Sequence, residues 1–165
     1  MTAAELLELQ ARHEAAHAVV AEDFEWPVIE IVLERKKEVA YGIPSTITGS
    51  IDLRHPEPSR ENAALFVALS VAGFMAVSQT TSAENVLAFS KDFGLDWIYL
   101  RNQMNSFKIE PGHELGAFCE GVILASQVIS KHATALEKIV SILIERKRIG
   151  GDEIHNIVRQ SLQPN

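Results

Sequence analysis

The sequence holds a single cysteine, Cys119, which excludes an internal disulfide, a paired-cysteine zinc knuckle and a dithiol redox motif. Set in the apolar stretch LGAFCEGVILA, Cys119 is expected to serve as a small buried hydrophobe, and this cysteine usage suits a reducing cytoplasm. Positive charge is also in short supply: 15 Lys and Arg stand against 22 Asp and Glu, a net charge of -7. Nucleic acid and anionic membrane surfaces both select for a surplus of cations, so neither is an expected partner. The two short basic runs, Arg35 to Lys37 and Arg146 to Arg148, are expected to be solvated element ends.

Long apolar runs are missing as well. The most apolar segment, AALFVALSVAGFMAVS at 63–78, falls short of the roughly 20 residues that span a bilayer, and it reads as a buried core helix. The opening MTAAELLELQ lacks the basic segment and apolar core of a secretory signal. No G-x-x-x-x-G-K-[ST] phosphate loop, internal repeat or low-complexity segment occurs.

What remains is the composition of one soluble globular domain over residues 1–165, with 47% hydrophobic and 22% charged residues. The expected fold is mainly α with a small β-hairpin or sheet (α+β). A first helix is predicted from Ala3 to Asp23, with Leu6, Leu9, Ala16 and Val20 on one side and Pro27 beyond its end. The β-branched VIEIVLE (28–34) and VAYGIPSTITGSI (39–51) predict strands, the latter interrupted by Gly42 and Pro44. Everything after them reads as helix. Ser59 is the expected N-cap of the apolar helix, which ends near Gln79, and TSAE reads as a capping box from Thr81 to Glu84. A further helix is expected at DWIYLRNQM. The long helical pattern from Gly112 to Lys147 predicts a break between Ser130 and Ala133, and Gly-Gly stops it before a short last helix.

The chemistry is concentrated in LQARHEAAHAVVAEDF. Residues four apart on a helix project from one face, so His13 and His17 can offer two imidazole nitrogens to a single ion. Glu14 lies beside that ion, where its carboxylate can take a proton from a water molecule. Zinc suits this arrangement because it lowers the pKa of bound water towards about 7 and polarises a carbonyl. Catalytic zinc sites use three protein ligands, so a third must come from elsewhere.

Asp23 is excluded as that ligand, because a continuing helix rotates it by roughly 240° from His17 and Val20 stands where a turn-making glycine is needed. Glu57 and Glu61 read as solvated first-turn glutamates, and Glu84 is committed to its cap. Asp92 and Asp96, in SKDFGLDWIYLRNQ, remain, with an N-cap as the ordinary alternative role for Asp96.

Three stretches resemble the peptidase domain of FtsH-type, AAA-associated zinc metalloproteases. RHEAAHAVVAE is similar to that family's metal-binding helix, and VIEIVLE with AYGIP is similar to the segment after it. VALSVAGFMAV followed by GLDWIYLRNQM resembles an apolar helix and then an aspartate-bearing helix. HATALEKIVSILIERKRIGGDEIHNIV resembles the family's C-terminal pattern. The resemblance implies zinc ligation by His13, His17 and Asp96, with Glu14 as general base and Asp92 as the competitor of Asp96. It also implies a metallopeptidase acting on peptides or unfolded protein segments. Ala16 replaces the family's glycine, and Gly73 to Val77 lose an acidic side chain of the family's pattern. The ATPase of that family has no counterpart in this sequence, so unfolding of substrates is expected to need a separate ATPase, and assembly as a homo-oligomer is the other expected association. The rival expectation is a zinc-binding regulatory or interaction protein of the same fold, without turnover.

Overall fold

The computed structural model describes residues 2–35, 47–86, 96, 98–102, 107 and 113–162. The chain is mostly helical with one small antiparallel sheet, as the hydrophobic patterning requires. Helix α1 spans Ala3–Asp23 and opens on a capping box in which Thr2 and Glu5 satisfy each other's backbone N–H groups. From Leu9 to Ala21 every residue of α1 is buried. The sequence reading gives α1 one apolar side; the structure surrounds it, because Ala11, Ala15, Ala16 and Ala18 are small enough for neighbours to close in on every face.

Strands β1 (Val28–Arg35) and β2 (Ile47–Leu53) pair antiparallel, with Ile31 opposite Ile51 and Leu33 opposite Gly49. Residues 36–46, including the Gly42 and Pro44 interruption, lie outside the described residues. Helix α2 (Ala63–Ser78) follows as the buried apolar helix. Its N-cap is Asn62 rather than Ser59: the Asn62 side-chain oxygen accepts from the Ser59 backbone N–H, closing a turn ahead of the helix. In the following turn the cap moves by one residue, with Ser82 Oγ accepting from the Asn85 N–H and the expected Thr81 accepting from the Asn85 side chain.

Residues 96 and 98–102 are helical. The long C-terminal pattern divides into α3 (Glu114–Lys131) and α4 (Ala133–Arg146), with the break at His132 inside the expected window. Two corrections follow. Cys119 is exposed: α3 buries Gly121, Ala125, Val128 and Ile129, and Cys119 falls on the opposite face. The chain also returns to the sheet after α4. Arg148–Gly150 forms β3, pairing antiparallel with Glu30 to Val32 and giving the strand order β2-β1-β3. Three residues are too few to show a period of two, and the pairing is non-local, so no sequence pattern marks it.

The Gly-Gly pair is not the stop. Lys147, at φ 61°, ends α4 in the left-handed conformation, and Gly150 starts the final helix α5 (Gly151–Ser161). Gly151 has another use: a Cβ there would collide with the Val28 carbonyl oxygen of β1. The basic run at Arg146 to Arg148 is exposed, with Arg146 paired to Glu153 and Arg148 to Glu30. No helix among the described residues is long and apolar enough to cross a membrane.

Candidate metal centre

Burying polar groups is costly unless each finds a partner, yet α1 carries Gln10, Arg12, His13, Glu14 and His17 inside the protein. Arg12 turns towards α4, where its guanidinium grips Glu137 through two bonds of 2.5 and 2.9 Å. This clamp fixes the rotation of α1. The other four side chains line one cavity of about 430 Å³.

His13 and His17 converge, with their Nε2 atoms 3.1 Å apart. Asp96 completes the group: its Oδ2 lies 3.0 Å from His13 Nε2 and 3.4 Å from His17 Nε2. That oxygen is buried and makes no aligned hydrogen bond among the described residues. A tetrahedral ion with bonds of roughly 2.0–2.1 Å has ligand-to-ligand edges of roughly 3.3–3.4 Å, so three donors at these separations fit one such ion with shifts of a few tenths of an ångström. Among the described residues these three form the one group of His, Cys, Asp or Glu with that capacity.

The surroundings orient the donors. His17 Nδ1 lies 2.7 Å from the Leu69 carbonyl oxygen. A carbonyl only accepts, so Nδ1 carries the proton and Nε2 is turned to the shared point, the usual arrangement behind a metal-binding imidazole. Burial by itself would lower the His17 pKa, but the Asp96 carboxylate, with smaller help from Glu14 and the Leu69 carbonyl, pushes it up to about 9. Burial works the other way on Asp96, and the neighbouring imidazoles, His17 foremost, hold its carboxyl well below the usual range. The attraction between the His17 ring and the Asp96 carboxylate thus keeps these side chains turned to one point.

Two glycines make room for it. A Cβ at Gly73 of α2 would overlap the His13 ring, and a Cβ at Gly49 of β2 would overlap the Glu14 carboxylate. Glu14 is held from its own helix, where Gln10 Nε2 donates to its Oε1 at 2.7 Å. The same cavity wall contains two buried polar atoms with no hydrogen-bond partner among the described residues, Gln10 Oε1 and Ser70 Oγ.

The structure thus brings His13, His17 and Asp96 together with Glu14 beside them, although Asp96 comes from a distant segment. Asp92 lies outside the described residues. Asp23 points away, bonded to Lys131 and His132, and Glu57, Glu61 and Glu84 are exposed. Val77, in the segment that lacks the acidic side chain, packs against Leu9 in an apolar cluster. Sequence reading missed Gln10, Gly49, the Leu69 carbonyl, and the His55 and Tyr99 side chains on the cavity wall. Only Gly49 had a local signal, a glycine inside a strand pattern, which marks close approach of another group.

The arrangement could hold one metal ion, with the Glu14 carboxylate in the same cavity. No protein-family model matches the chain, and no curated protein matches it in sequence.

Proposed function

We propose that this protein is a zinc-dependent metallopeptidase with the site architecture of the FtsH-type peptidase domain. The carrying observation is the convergence of His13, His17 and Asp96 within one cavity that also contains Glu14. The donor set, two imidazoles and a carboxylate, suits zinc, and three ligands leave a position for water or substrate. Zinc held there supplies Lewis acidity, lowering the pKa of a water to about 7 and polarising the carbonyl under attack.

The remaining steps belong to the protein. Glu14 has one carboxylate oxygen engaged by Gln10, which leaves the other to take a proton from the attacking water and return it to the departing amine. The low-dielectric walls strengthen these charge interactions.

Substrate access is argued from the sheet. In the order β2-β1-β3, strand β2 is an edge, and its residues Gly49 to Leu53 line the cavity. An extended segment of peptide or unfolded protein can add to that edge as a further strand, bringing a backbone carbonyl over Glu14. A folded substrate cannot present such a segment, so a separate ATPase, or a homo-oligomer enclosing the site, would have to deliver it.

Glu14→Gln tests the reading. Zinc content stays at about one per chain while hydrolysis of unfolded casein falls by about 10²- to 10⁴-fold, the usual contribution of a positioned general base. Wild-type protein purified without chelators that contains no stoichiometric zinc overturns it.

A further inference from the structure

Attack on a carbonyl moves negative charge onto its oxygen, and hydrolysis is faster when a donor waits where that charge develops. Glu14, Asp52 and Asp96 cannot provide one when ionised, and the Gln10 amide donates to Glu14. The Ser50 and Ser70 hydroxyls are also on this wall, but the Tyr99 and His55 pair alone combines a hydroxyl donor on the Asp96 helix with a partner that holds it ready. Tyr99 lies one helical turn beyond Asp96, so the two side chains share a face. Its hydroxyl is 3.0 Å from Nε2 of His55, a residue two positions past the end of β2.

The direction of the protons follows from the partners. His55 Nδ1 lies 2.9 Å from the Pro56 carbonyl oxygen. A carbonyl only accepts, so Nδ1 carries the hydrogen, and in the neutral ring Nε2 is an acceptor. The Tyr99 hydroxyl is therefore the donor of that contact. The His55 ring is seated although exposed: it meets Phe66 edge-on at 5.0 Å between centroids and Trp26 at 6.2 Å. Both of these rings are buried.

We propose that Tyr99 is a further catalytic residue of this site, swinging its O–H from His55 to the substrate carbonyl oxygen as negative charge gathers there, with His55 the positioning residue. No bond to the protein forms. A hydrogen bond moves from a neutral acceptor to an increasingly anionic one, and it strengthens as it does so. This proposal rests on the metallopeptidase reading.

The test uses the full chain loaded with zinc and a phosphinic pseudotripeptide, whose tetrahedral phosphinate replaces the scissile amide. Binding is measured by calorimetry for wild type, Tyr99→Phe, His55→Ala and Ser70→Ala, with zinc content and acetohydroxamate affinity determined on the same samples. A lost hydrogen bond to a charged group weakens the phosphinate by about tenfold or more in Tyr99→Phe. A smaller loss is expected in His55→Ala, with zinc content and acetohydroxamate affinity unchanged. Equal phosphinate affinity in wild type and Tyr99→Phe, with zinc at full occupancy, overturns the role of Tyr99 alone. A loss confined to Ser70→Ala does the same and moves the role to that hydroxyl. Wild type that takes up no zinc overturns the metallopeptidase reading and this role with it.

Discussion

Gly73 lacks a side chain where the His13 ring needs the space. A methyl group there must push the ring, since the helix backbone that carries it has nowhere to go. Gly73→Ala is expected to lower zinc affinity by about 10- to 100-fold, the range seen when the groups orienting a ligand are disturbed, as read by competition with a chromogenic chelator. Gly49→Ala presses on Glu14 instead, so zinc affinity stays near that of wild type while casein hydrolysis falls by up to about a hundredfold. The contrast between the two glycines separates metal holding from proton transfer. The sequence makes half of this centre readable. His13, Glu14 and His17 are neighbours on one helix, and a local period of 3.6 suffices to place them together. Asp96 meets them only through tertiary packing; spacing narrows the choice to two aspartates, and a resemblance ranks them. Gly73, Gly49, Leu69, His55 and Tyr99 act through contacts between elements, which leave no period in the chain.

At the scale of elements, local rules fix most of the helices. α1 has the predicted bounds, and α3 gives way to α4 at His132 within the expected window. The failures occur where a neighbour outranks a local signal. The Gly-Gly pair reads as a stop, yet Gly151 is there to admit the Val28 carbonyl, and the left-handed position falls on Lys147. A β-carbon in that conformation costs about 1–2 kcal/mol, and glycine recovers it at some entropic cost in the unfolded chain. Lys147→Gly is thus expected to stabilise the fold by about 1 kcal/mol, less whatever the bond from its ammonium to the Ile144 carbonyl contributes. Thermal unfolding should show a rise of about 2–4 °C. A drop would mean that the Lys147 side chain outweighs its backbone strain.

Across the whole molecule, the end of α1 is tied to the C-terminal helices by charge. Asp23 Oδ1 lies 2.6 Å from the Lys131 ammonium and 2.7 Å from Nε2 of His132, which is fully buried. Burial alone would raise the Asp23 pKa, but Lys131 and His132 hold it below the ordinary carboxylate value. A lowered folded-state pKa adds stability above the unfolded value, near pH 4, and that stability is lost as pH falls through the folded value. Wild type should therefore melt above Asp23→Asn at pH 7, with the gap narrowing as pH drops below about 4. A gap that stays constant with pH would show that the side chain acts through shape and not charge.

The position of Asp96 has one more consequence. His13 and His17 stand near the start of the chain and Asp96 well beyond its middle, so an ion gripping all three would close a loop of about 80 residues, a constraint whose entropic effect on the unfolded chain grows with the logarithm of loop length. A protein with one cysteine has no covalent cross-link to offer. The metal would be its staple, and loading it would harden the fold as well as arm the site.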